Sequence, residues 1–80
     1  MWYYLVRYSF DPEKSVFGPF NTEEEAWKDA LISARKEYDI DTNENGWDVD
    51  MTEYEDCGEI ILVDHFDSGD ESTEYLVFEI

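Results

Sequence analysis

Residues 21–38 read NTEEEAWKDALISARKEY, the one stretch of the chain whose apolar residues recur at helical spacing. Asn21 or Thr22 can cap its start, Glu24 or Glu25 sits three residues on, and Glu23 to Glu25 complement the positive end of a helix dipole. Ala26, Trp27, Ala30, Leu31, Ala34 and Tyr38 fall three or four apart and define one buried stripe. Lys28, Arg35 and Lys36 lie off that stripe, the last two near the C-terminal end, where cations are favoured. The spacing predicts a helix ending near Tyr38.

The flanking sequence alternates instead. In WYYLVRYSF, residues 2–10, the even positions Trp2, Tyr4, Val6, Tyr8 and Phe10 make one apolar face of a strand. DPEKSVFGPF, residues 11–20, holds two prolines and a glycine and reads as a turn or short excursion. Beyond the helix, Trp47, Val49 and Met51 alternate with Asp48, Asp50 and Thr52, the pattern of a half-exposed strand with an acidic face. GEIILVDHF, residues 58–66, contains an unbroken apolar run suited to a strand covered on both faces. DSGD turns the chain, and TEYLVFEI, residues 73–80, places Leu76, Phe78 and Ile80 on one face and Tyr75, Val77 and Glu79 on the other. The expected fold is α+β in the order β-α-β-β-β, with one helix packed on a mostly antiparallel four-stranded sheet. Eighty residues make a single domain, 1–80.

One helix of about 16 residues, roughly 24 Å long, cannot cover both faces of such a sheet. Ile61, Val63, Tyr75 and Val77, joined by Tyr3 and Leu5, are expected on the uncovered face, which suits an interface or a homodimer contact. The alternative is that residues 10–20 wrap these aromatics into a second small core.

Charge narrows the function further. The 80 residues carry 22 acids against 5 bases, a formal net charge of −17, which opposes direct binding to nucleic acid or an anionic membrane. Residues 1–36 hold all five bases and six acids, whereas residues 37–80 hold sixteen acids and no Lys or Arg. General solubility, or adaptation to high salt, would spread acids along the whole chain. No apolar run approaches a membrane span, and Met1-Trp2-Tyr3-Tyr4 lacks the basic start of a signal peptide, so a cytoplasmic location is expected. The single cysteine, Cys57, agrees with a reducing compartment.

The segment DIDTNENGWDVD, residues 39–50, invites a calcium reading. Counted from Asp41, it sets Asp41, Asn43, Asn45 and Gly46 at positions one, three, five and six of an EF-hand loop, and resembles the first half of one. Position nine is Val49 and position twelve is Thr52, with Glu53 one residue too late for the bidentate ligand. Any affinity of Asp41, Asn43 and Asn45 for calcium is therefore expected to be weak. A helix-to-strand loop with Asn45-Gly46 supplying a positive-φ turn accounts for the same residues.

Catalytic and cofactor signals are sparse. His65 is the only histidine and stands on an alternating strand, where a structural role is expected. Cys57 follows Asp56 in EDCG, an acidic setting opposite to the electropositive one a nucleophilic thiolate needs. There is no phosphate-cradling glycine loop, CxxC pair or His-rich metal spacing. A non-enzymatic protein without cofactor is expected.

What remains is an acidic surface. Alternate residues on a strand lie about 6.6–6.8 Å apart, so Asp48 and Asp50 space their charges at roughly twice the 3.4 Å rise between phosphates of one DNA strand. The candidates for contact with a basic, nucleic-acid-binding protein are Glu37, Asp39, Asp41, Glu44, Asp48, Asp50, Glu53, Glu55, Asp56 and Glu59. Asp64, Asp67, Asp70, Glu71 and Glu74 follow in the next turn and strand. In size and charge, though in no sequence motif, the chain resembles the small acidic proteins that mimic DNA, found among phage inhibitors of restriction, CRISPR and repair enzymes. That resemblance implies occlusion of a basic groove.

Overall fold

A computed structural model describes residues 1–42, 48–66 and 69–80. Its elements are β1 (Trp2–Tyr8), β2 (Asp11–Phe20), α1 (Glu23–Glu37), β3 (Val49–Tyr54), a 3₁₀ turn (Glu55–Cys57), β4 (Glu59–Phe66) and β5 (Gly69–Glu79). The strands form one five-stranded sheet in the order β2-β1-β5-β4-β3, with every neighbouring pair antiparallel.

The fold class is therefore α+β, with one helix on an antiparallel sheet, but residues 11–20 correct the expected four strands to five. The segment expected to turn is β2, paired along β1 from Trp2–Phe20 to Tyr8–Asp11. Strand β2 lies at the edge of the sheet, where prolines are tolerated because an edge leaves some backbone N–H groups without a partner strand. Pro12 and Pro19 both sit in it, and the pairing shifts register between Trp2 and Tyr4 and again between Arg7 and Tyr8. A proline-rich stretch reads as a turn only if the strand is assumed to be central.

Helix α1 follows its sequence signals closely. Thr22 caps it, its hydroxyl accepting from the Glu25 N–H at 3.1 Å, while the Glu25 carboxylate accepts from the Asn21 N–H at 3.2 Å. Ala26, Ala30 and Ala34 are fully buried, so the side that meets the sheet is the small-residue stripe, and Trp27 and Leu31 pack alongside. Opposite them the sheet presents Tyr4, Val6, Ile60, Leu62 and Tyr75 as the core. Polar contacts tie the two layers. The Tyr4 hydroxyl donates to Asp29 at 2.7 Å and lies 3.0 Å from Ser33 Oγ, and the hydroxyls of Tyr38 and Thr73 are 2.6 Å apart.

Register decides which residues share each face. Tyr4 stands opposite Val77, Val6 opposite Tyr75, Ile60 opposite Tyr75 and Leu62 opposite Thr73, so Tyr75 and Val77 belong to the helix side. This corrects their expected place on the uncovered face. Leu76 and Phe78 occupy that face instead, with Tyr3 and Leu5 of β1 and Ile61 and Val63 of β4. All six are half-buried, and β2 pairs beside β1 as an edge strand of the same sheet rather than folding over them. Strand β4 is thus covered on one face only, another departure from its continuous apolar run.

Candidate partner-binding surface

The acidic half of the chain folds into the β5-β4-β3 side of the sheet. Described residues 48–79 carry no Lys or Arg, so this side has no full-time cation of its own. Its outermost element is β3, an edge strand with no neighbouring strand on its outer side among the described residues. From Asp48 to Asp56, through β3 and the 3₁₀ turn, five carboxylates (Asp48, Asp50, Glu53, Glu55 and Asp56) are all exposed. Alternation sends Asp50 to the open face, opposite Val63, and Glu53 to the helix side, opposite Ile60. Charged side chains on both faces of an edge also discourage pairing with another chain, so these residues have a structural role as well.

The open face collects a second group. Glu59 stands opposite Leu76, Glu74 opposite Ile61 and Asp70 opposite His65. His65 Nε2 lies 2.8 Å from Asp50 Oδ2 and its Nδ1 3.0 Å from Asp70 Oδ1, so one imidazole on β4 braces the strands on either side. The hydrogen bond with Asp50 raises the His65 pKa above its ordinary 6.5, the bond with Asp70 adds to it, and Asp48 contributes through its field. Arg7 on β1 makes an ion pair with Glu74 across the β1-β5 boundary. Its other neighbour on this face is Lys14 of β2. The face therefore grades from cationic at β2 and β1 to anionic at β4 and β3.

A third group sits where α1 ends. Asp39 has a left-handed backbone with φ 50°, Asp41 accepts from Arg35 at 2.8 Å, and Glu37 accepts from the Tyr8 hydroxyl at 3.4 Å. Asp64 and Glu71, a cross-strand pair, point to the helix side near Tyr38. Burial raises the Tyr38 pKa first, with the fields of Asp64, Glu37 and Glu71 adding to it. Asp64 is only 8% exposed, so its carboxylate can add to the field of the surface but is shielded from direct contact with a partner.

The sequence candidates thus divide into three sets and do not form one continuous ladder. Asp48, Asp50, Glu53, Glu55 and Asp56 share the β3 edge, and Glu59, Asp70 and Glu74 join Asp50 on the open face. Glu37, Asp39 and Asp41 stand apart at the helix end. Glu44 and Asp67 lie outside the described residues, as do Asn43 and Asn45 of the calcium reading and the Asn45-Gly46 turn. Among the described residues, no group of three or more His, Cys, Asp or Glu side chains is placed to hold a metal ion.

Sequence reasoning missed the pairing of His65 with two carboxylates and the apolar row Leu76 and Phe78 add to the open face. The alternation of residues 73–80 was visible, but both of its phases are apolar, and only cross-strand register tells them apart. Two grooves flank α1. One of about 530 Å³ is lined by Val6, Tyr8, Phe17, Ser33, Lys36 and Glu37, and one of about 670 Å³ by Thr22, Glu23, Trp27, Lys28, Leu31 and Glu55. Among the described residues, no helix is long and apolar enough to cross a membrane. No family model, no curated protein and no solved structure matches this chain.

Proposed function

We propose that this chain is a non-enzymatic acidic binding protein that occupies the basic groove of a nucleic-acid-binding partner, in the manner of DNA-mimic inhibitors of restriction or CRISPR enzymes. The observation that carries the reading is the run of five exposed carboxylates from Asp48 to Asp56 along a sheet edge, in a stretch, 48–79, whose described residues carry no Lys or Arg. A groove evolved for phosphates pairs with such anions through Lys and Arg. Long-range attraction speeds the encounter, and contacts at short range hold the complex. Inhibition is then competitive occlusion, with no bond made or broken.

Affinity capture from a lysate of the source organism at low salt, followed by stepwise salt elution, tests this. The expected result is a basic protein that elutes as salt rises, because exposed charges are screened beyond about 8 Å at physiological ionic strength. Duplex DNA should compete with it, and the Asp48→Asn/Asp50→Asn variant should capture less. A partner bound equally at low and high salt, and equally by that variant, would remove the acidic edge as the determinant.

The second reading is a non-catalytic interaction domain that uses the open face of the sheet, with the acids serving as solvation. The half-buried row of Tyr3, Leu5, Ile61, Val63, Leu76 and Phe78 supports it.

A further inference from the structure

The open face is more than uncovered, because its apolar residues are arranged. Tyr3 and Phe78 stack with ring centroids 5.7 Å apart. Leu5 and Leu76 follow as the next pair, and Ile61 and Val63 continue the row along β4. The row crosses three adjacent strands, about 10 Å at the usual strand spacing, which is the diameter of one α-helix. Its length is three two-residue steps, about 20 Å, or roughly fourteen helical residues. The other face of the same sheet already packs α1 on such a surface.

Charge selects the occupant. On the β3 side the row is bordered by Glu59, beside Leu76, and Asp50, beside Val63. Asp70 closes the end beyond Val63, and Arg7 is already paired with Glu74. A second copy would bring another formal charge of −17 against this one, a repulsion felt as the two surfaces come within a Debye length. An apolar segment flanked by Lys or Arg meets both demands at once.

We infer that the open face docks a cationic amphipathic helix of a partner protein, its apolar stripe over Leu5, Leu76, Ile61 and Val63 and its basic flank over Glu59 and Asp50. The inference rests on the acidic-binding reading above and gives it a recognition element. Salt-dependent pairing at the rim steers the helix, and the apolar row supplies the part of the affinity that salt does not screen.

The test uses two fourteen-residue peptides of identical Leu and Lys composition, one with its leucines in a single helical stripe and one with the same residues reordered. Titration calorimetry at physiological salt should show the striped peptide binding at least tenfold more tightly. Ile61→Thr/Val63→Thr, which keeps the β-branched shape, should abolish that preference. Asp50→Asn/Glu59→Gln should weaken both peptides and flatten the salt dependence. Amide shifts on binding should cluster at Leu5, Ile61, Val63 and Leu76, a readout on the unmodified chain that does not depend on any variant folding. If both peptides bind equally, with steep salt dependence, the acidic reading stands and the docking row is refuted. If the striped peptide binds without salt dependence and the rim variant changes nothing, the cationic partner is refuted together with the reading beneath it. Sedimentation showing a dimer at micromolar concentration that Ile61→Thr/Val63→Thr dissolves would give the face to a second copy and overturn the inference.

Discussion

The hydroxyl of Tyr4, on the first strand, donates a 2.7 Å hydrogen bond to the carboxylate of Asp29 on the helix. Tyr4 is 1% exposed, so burial raises the pKa of its hydroxyl, and the bond to Asp29 raises it further by favouring the protonated donor. Tyr4→Phe keeps the ring, which packs beside Phe17, Phe20 and Tyr75, and deletes only the donor. Loss of a bond to a charged acceptor predicts a destabilisation of about 1.5–3 kcal/mol in urea unfolding. Tyr4→Ala, which also empties a core site, should cost about 3–5 kcal/mol. A Tyr4→Phe variant as stable as the wild type would show that the hydroxyl contributes nothing.

His65 makes the stability of the sheet depend on pH. Its folded pKa lies above 6.5 because Asp50, and then Asp70, accept hydrogen bonds from the protonated ring. A group whose pKa is raised on folding contributes stability that is complete below its unfolded value, near 6.5, and lost as pH rises through the folded value. The difference in melting temperature between the wild type and His65→Gln should therefore be largest below pH 6.5 and shrink as pH increases. An NMR titration placing the His65 pKa at or below 6.5 would contradict the bridge.

Helix α1 was legible because its cap, its charges and its alanine stripe all point one way, and the alternation of Trp2 to Tyr8 was equally clear. Strand β2 was not, because Pro12, Gly18 and Pro19 carry the local signature of a turn, and only the position at a sheet edge makes them compatible with pairing. The phase of β5 was also hidden. Tyr75 with Val77 and Leu76 with Phe78 are equally apolar pairs, and which one faces α1 depends on register with β1 and β4. The acidic half was visible as composition, yet its division into an edge, an open face and a buried Asp64 required the fold.

Gly58 should resist substitution for a backbone reason. It closes the 3₁₀ turn with φ 65°, and its carbonyl accepts from the Val77 N–H at 2.7 Å. A β-carbon there would lie 3.2 Å from the Val77 carbonyl oxygen and 3.3 Å from its Cβ. The left-handed conformation costs a residue with a side chain roughly 1–2 kcal/mol before any crowding. Gly58→Ala should lose at least that much in denaturant unfolding, with little change in the slope. A variant as stable as the wild type would mean that the turn relaxes freely.

Self-repulsion predicts how salt acts on the folded chain itself. Five exposed carboxylates between Asp48 and Asp56 share one edge, in a stretch, 48–79, whose described residues carry no Lys or Arg, so each disfavours the others in the compact state. Raising ionic strength from 0.01 to 0.1 M shortens the Debye length from about 30 to about 10 Å, which removes repulsion between exposed charges before it weakens the short ion pairs. The melting temperature should therefore rise with potassium chloride, and the rise should be smaller in Glu53→Gln/Glu55→Gln/Asp56→Asn, which should also be more stable than the wild type at low salt. The same variant weakens an edge defence, since it removes the charge of Glu53 on β3 and the two of the adjoining 3₁₀ turn, leaving Asp50 as the strand's remaining carboxylate. Sedimentation at high protein concentration should show it self-associating where the wild type stays dispersed. If the variant neither gains stability at low salt nor associates, the carboxylates of this edge are too far apart, or too well solvated, to act on one another.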